Sequence, residues 1–171
     1  MIYSSAYIKR TVIAHFDKGE DLLESIKEII NEEKIKNGII ISGYGTFEKC
    51  RWHYITTTGL PPKDEFKAVS EPLELNSMHG VIANGEPHIH IGFSNSEQAF
   101  GGHLEPGCRV LYLADVVIGE IEGVDMSFEV DKETKLRGLR LKPATTKPGP
   151  AVNVDDKGNY KITGRTKGWE R

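Results

Sequence analysis

Residues Pro87 to Leu104 read PHIHIGFSNSEQAFGGHL and carry three of the chain's six histidines, His88, His90 and His103. Apolar and polar residues alternate up to Phe93. A polar run follows from Ser94 to Gln98, and an apolar segment resumes at Ala99 to Leu104, which predicts strand, turn and strand. Successive strand side chains point to opposite faces, so His88 and His90 share one face and Ile89 and Ile91 take the other. Two imidazoles so placed lie roughly 6–7 Å apart along the strand, close enough to grip one ion. If the two strands pair as a hairpin, His103 returns to the neighbourhood of His88 and His90. Gly101 and Gly102 permit a close backbone approach there.

Outward from this hairpin the chain is rich in strand patterns. Pro106 and Gly107 make a turn before a long apolar strand, Arg109 to Ile121, in which Val110 to Ile118, Asp115 excepted, read as buried. Asp115 must be exposed on one face, hydrogen-bonded, or at a subunit interface. A strand at Asp125 to Val130, the turn DKET at Asp131 to Thr134 and Leu136 to Leu141 follow. On the N-terminal side, Phe66 to Ala83 reads as strands interrupted at Glu71–Pro72 and Asn76–Ser77, after a Thr, Gly and Pro connection over Thr56 to Glu65. Gly38 to Ile55 is β-rich, with Gly43 and Gly45 marking a bulge or a close approach.

Near the start, Thr11 to Phe16 forms a first strand. The period then changes: Leu22, Leu23, Ile26, Ile29 and Ile30 fall on one helical stripe. Asp21 with Glu24 three later is an N-capping signature, and Asn37–Gly38 supplies the helix stop. One amphipathic helix among seven or more strands with hairpin spacing predicts an α+β domain built on a largely antiparallel sheet.

At 171 residues the chain fits one domain and buries about 70% of the surface its unfolded form exposes, enough for a self-sufficient core. Residues 1–142 are taken as that domain. Residues 143–171 are taken as a Pro-containing, mildly basic extension that opens with the linker PATTKPGP and lies on the surface or is disordered. The extension holds six Lys or Arg against three acids, behind an acidic body, and the formal net charge is −3. That balance argues against a nucleic-acid binder working by bulk electrostatics, which needs Lys and Arg to displace phosphate counterions. Cys50 and Cys108 lie far apart and form no CxxC pair, so neither a disulfide framework nor a zinc ribbon is suggested, and both are expected reduced. Met1 to Phe16 lacks the apolar region of a signal peptide or a membrane span, which predicts a soluble, cytoplasmic protein with no membrane partner.

The combination of GEDLLESI, IIISGYGTFEKC, HIHIGFSNSEQAFGGHL and EPGCRVLYLADVVIGEIEG resembles the PPC domain, the plant and prokaryote conserved domain, over about Arg10 to Leu141. The resemblance implies an antiparallel sheet flanked by helices and assembled as a homotrimer. It also implies a metal, usually zinc, on the His-x-His strand and the following Gly-Gly-His, here His88, His90 and His103. Plant relatives join this domain to AT-hooks that enter the DNA minor groove. Here the nearest text, TGRTKGW (Thr163 to Trp169), lacks the proline and second close arginine of that motif, so direct minor-groove binding does not carry over.

Three neutral imidazoles suit Zn2+ and leave a fourth tetrahedral position for water or a ligand. Zinc-bound water ionises near pH 7, and an open position also suits a small anionic ligand through its carboxylate or phosphate. Glu105, two residues from His103, is the nearest candidate to move a proton. Of the other histidines, His15 and His53 have no partner in sequence, and His79 is expected to stay apart from the site. Cys108 reads as a buried hydrophobe. The ranked expectations are a zinc-binding homotrimeric regulatory module that binds a small ligand or partner, then a metal-dependent hydrolase or lyase, then a DNA-binding protein.

Overall fold

The computed structural model describes residues 1–143, 151–154 and 160–163. In chain order the elements are β1 (Tyr7–Asp17), α1 (Leu22–Glu32), β2 (Asn37–Ile55), β3 (Asp64–Val69), β4 (Leu73–Ala83), β5 (Glu86–Ser94), β6 (Ala99–Leu104), β7 (Arg109–Glu122), β8 (Val124–Val130), β9 (Arg137–Pro143), β10 (Ala151–Val154) and β11 (Tyr160–Thr163). The first seven strands form one antiparallel sheet in the order β1-β7-β2-β4-β5-β6, with β3 also on β2. β8 pairs with β9 and β10 with β11. The antiparallel sheet expected from the sequence is present, and among the described residues it is accompanied by one helix. The 144–150 part of the expected linker lies outside the described residues, while 151–154 and 160–163 of the extension pair as strands.

The length of β2 shapes the sheet. Its first half lies between β7 and β4, whereas Trp52 and His53 near its end pair with Leu104 and His103 of β6. β2, β4, β5 and β6 therefore close into a four-strand ring. Inside it Trp52 packs edge-on to Phe93 at 5.0 Å and to Phe100 at 5.4 Å. Gly102 makes the closure sterically feasible, since a Cβ there would stand 2.3 Å from the His53 carbonyl oxygen.

α1 buries the stripe its sequence presents: Leu22, Leu23, Ile26 and Ile30 are buried. Asp21 caps the helix by accepting from the Glu24 N–H. The stop differs from the sequence expectation. Lys34 takes a left-handed φ of 55°, its N–H bonds the Asn31 carbonyl at 3.2 Å, and the Ile35 N–H bonds the Ile30 carbonyl at 2.9 Å. That is a Schellman closure, four residues ahead of Gly38. Asn37 and Gly38 instead begin β2, where the buried Asn37 side chain accepts from the Met126 N–H.

β7 is buried on one face only. Val110, Ala114, Val116 and Ile118 are core, but Tyr112 and Leu113 are exposed, so the continuous buried run expected there is corrected to an alternating one. Asn76–Ser77 likewise does not break β4; it shifts the register against β5. On the outer face of β1, β7 and β2, Ile13, Ile41, Tyr44 and Leu113 are exposed. Asp115 lies on this face and binds His15 Nδ1 at 2.7 Å. This hydrogen bond holds the Asp115 carboxyl below its ordinary pKa and raises that of His15. Cys50 and Cys108, 58 residues apart, are both buried with their sulfurs 3.2 Å apart as free thiols. Their hydrogen bond, then burial, pushes the Cys50 pKa up.

Candidate metal centre

Antiparallel register brings histidines from four strands into one row. His79 of β4 pairs with His90 of β5, His90 with His103 of β6, and His103 with His53 of β2. Cross-strand partners share a face, so all four project outward from the ring, opposite the core residues Met78, Ile91, Leu104 and Trp52. His88 lies two residues from His90 on that face. Ring centroids are 5.3 Å apart for His88–His90, 4.8 Å for His88–His103, 5.7 Å for His90–His103, 4.6 Å for His53–His103 and 6.2 Å for His79–His90.

The three histidines singled out in the sequence are thus neighbours. His53 and His79, expected to stand apart, join them. The only signal for either lay in strand pairing, because His53 is fifty residues from His103 in the chain.

His88 and His90 have their Nε2 atoms 3.3 Å apart. Two nitrogens each about 2.0–2.1 Å from a tetrahedral zinc would be about 3.3–3.4 Å apart. All three candidate ligands favour the neutral form that a metal requires. Burial, then the neighbouring His103 and His90 and the Arg137 guanidinium, lower the His88 pKa to about 4. Burial also lowers that of His90, with His103 and His79 adding to it. At His103 burial again dominates, opposed by the hydrogen bond to Glu105.

Glu105 follows the last residue of β6, and its N–H donates to the Arg51 carbonyl at 3.1 Å, so the approach to β2 continues past Leu104. One carboxylate oxygen, Oε1, accepts from His53 Nδ1 at 2.7 Å and from His103 Nδ1 at 2.9 Å. The bond at Nδ1 leaves the Nε2 of His103 as the ring nitrogen that could take a metal, the arrangement by which carboxylates orient metal-binding imidazoles. Among the described residues, the group whose donor atoms all fall within 4.8 Å of one another is His53, His103 and Glu105, and His88 and His90 are not part of it. That group shares only His103 with the sequence-derived triad. A surface cavity of about 470 Å3 lined by Trp52, Tyr54, Lys67, Gln98 and Phe100 contains none of these histidines.

The molecule is an antiparallel β-domain whose closed strand ring displays a histidine row on its outer surface. Residues 3–122 match the Plants and Prokaryotes Conserved (PCC) domain, also abbreviated PPC, and the chain belongs to that family. A PPC protein of Pyrococcus horikoshii is 26% identical, with a TM-score of 0.68 over 83% of this chain and 99% of that one. A metal-containing protein of Archaeoglobus fulgidus shares the fold at 23% identity and a TM-score of 0.69, covering 80% and 97% of the two chains. A candidate DNA-binding protein of Bacteroides thetaiotaomicron shares it at 18% identity and 0.67, covering 78% and 94%. The bifunctional protein GlmU of Synechococcus sp. strain JA-2-3B'a(2-13) is 24% identical over 131 residues, 76% of this chain. The chain spans about one fifth of that relative's length, 20%. Among the described residues no helix is long and apolar enough to cross a membrane.

Proposed function

We infer that this PCC-domain protein is a metal-binding module in which His88, His90 and His103 hold one divalent ion through Nε2. The 3.3 Å separation of the His88 and His90 Nε2 atoms carries the reading. The all-imidazole donor set and the neutrality of the three rings favour zinc. When bound, zinc supplies Lewis acidity at a fourth, open position. The chain's own residues do the rest: Glu105 fixes the His103 tautomer, and His53 fixes Glu105. Because its Oε1 is taken up by two imidazoles, Glu105 serves better as a positioning residue than as a general base. A small-ligand or partner-binding regulatory module therefore ranks above a metal-dependent hydrolase or lyase.

The protein works as a homotrimer in this reading, with the exposed Ile13, Ile41, Tyr44 and Leu113 face supplying contact between copies. DNA binding ranks last, since the net charge is −3 and the AT-hook core is missing, although a fold relative carries a DNA-binding name. The test is elemental analysis of purified protein with the variants His88→Ala, His90→Ala, His103→Ala and His53→Ala. Metal is expected to be lost from the first three and largely kept in the fourth. Full metal in His88→Ala, with loss in His53→Ala, would move the ion to the His53, His103 and Glu105 group. Solution mass of the wild type and of Ile13→Lys tests the trimer.

A further inference from the structure

The histidine face is completed by a segment beyond the matched family residues 3–122, the β8–β9 hairpin. Several contacts fix its place. Val124 and Met126 are buried with Ala83, and Phe128, Leu139 and Leu141 pack against them. The Met126 N–H donates to Asn37 Oδ1 at 3.0 Å, and Lys36 pairs with Asp125 at 2.8 Å. Docked this way, the hairpin brings the Phe128 ring to 5.5 Å from that of His88. Arg137 places its guanidinium carbon 4.9 Å from the Phe128 ring centroid and pairs with Glu86, two residues before His88. Its charge acts on both His88 and His103.

We propose that Arg137 and the histidine-held metal form one two-point site for a compact oxyanion, a phosphate or carboxylate group. This rests on the metal reading above. Three neutral imidazoles leave the charge of a divalent ion uncompensated, and Arg137 adds one more positive charge. Glu86 and Glu105 return two formal negatives, so the face with its metal keeps a net positive charge that an anion would complete. The guanidinium is a planar fork of N–H donors matched to two oxygens of one group, and stacking on Phe128 uses its face and leaves its edge to donate. Its pair with Glu86 is no barrier. Both side chains are about half exposed, 44% and 51%, and such pairs contribute about 0–1 kcal/mol. An anion that also binds the metal outcompetes Glu86.

The experiment titrates zinc-loaded, full-length protein with inorganic phosphate and, separately, with acetate, by calorimetry. Wild type, Arg137→Ala and Arg137→Lys are compared, with metal content measured in each. The expected result is saturable binding of at least one anion by wild type, weakened at least tenfold in Arg137→Ala at unchanged metal content and partly restored in Arg137→Lys. The arm that binds more tightly identifies the group. Equal affinity in wild type and Arg137→Ala, or binding of neither anion by wild type, overturns the proposal. Failure of the metal reading shows separately, as His88→Ala protein that keeps its metal.

Discussion

His88 and His90 stand with their Nε2 atoms 3.3 Å apart on one face of β5, at the edge length of a zinc tetrahedron. Without a metal, that geometry holds two imidazole nitrogens against each other. Replacing either ring with alanine is expected to lower zinc affinity at least a hundredfold while leaving the melting temperature of metal-free protein within a few degrees. Competition with a chromophoric chelator, alongside thermal melts, measures both; near-wild-type zinc affinity in both variants would sink the assignment.

Glu105 acts at one remove. Glu105→Gln keeps the shape but replaces a charged acceptor by an amide that can present N–H to the Nδ1 atoms of His53 and His103. Changing the hydrogen-bond partner that orients a metal ligand lowers metal affinity about 10- to 100-fold. We expect a loss in that range, smaller than that of His88→Ala, and a His103 ring whose tautomer signature changes in nitrogen-edited NMR. An unchanged tautomer would count against the positioning role.

Acid should destabilise the metal-free protein in a defined window. The ordinary histidine pKa is 6.5, and that of His88 in the fold is about 4, with His90 and His103 also lowered. Between those values the unfolded chain binds protons that the folded chain refuses, so stability falls as pH drops from about 6.5 toward 4 and is not regained below it. Urea melts at steps across this range would show it. In His88→Ala the slope should flatten; a slope unchanged by that substitution would refute the assignment to His88.

Ring closure depends on Gly102. A methyl group there meets the His53 carbonyl oxygen at 2.3 Å, a backbone atom that cannot swing away. Gly102→Ala is expected to destabilise by about 2–4 kcal/mol and to separate β6 from β2. It should also reduce metal binding, because His103 and Glu105 move with β6. Denaturant unfolding checks the first effect and metal content the second.

The helix stop offers an opposite change. Lys34 occupies a left-handed conformation at φ 55°, where glycine carries no Cβ penalty. Lys34→Gly should stabilise by about 0.5–1 kcal/mol, read as a rise in the urea midpoint. A fall in the midpoint would show that the lysine side chain itself contributes.

Much of this molecule is legible in one dimension, because alternation and helical period are properties of neighbours. The Leu22, Leu23, Ile26 and Ile30 stripe, the Asp21 cap and the hairpin carrying His88, His90 and His103 follow from spacing alone. The helix stop at Lys34 was not legible, since a lysine gives no composition signal for a left-handed turn. Nor was the exposure of Tyr112 and Leu113, since an apolar run reads alike whether one face or both are covered.

Local periodicity and motif are enough to read off the strands, the helix, the family resemblance and the His-x-His pair. Folding adds His53, His79 and Arg137 to that face and gives Glu105 its two imidazole partners. Register between strands distant in the chain, and the docking of the β8–β9 hairpin, depend on closing the β2-β4-β5-β6 ring. That closure depends in turn on long-range packing around Trp52 and on the space left by Gly102.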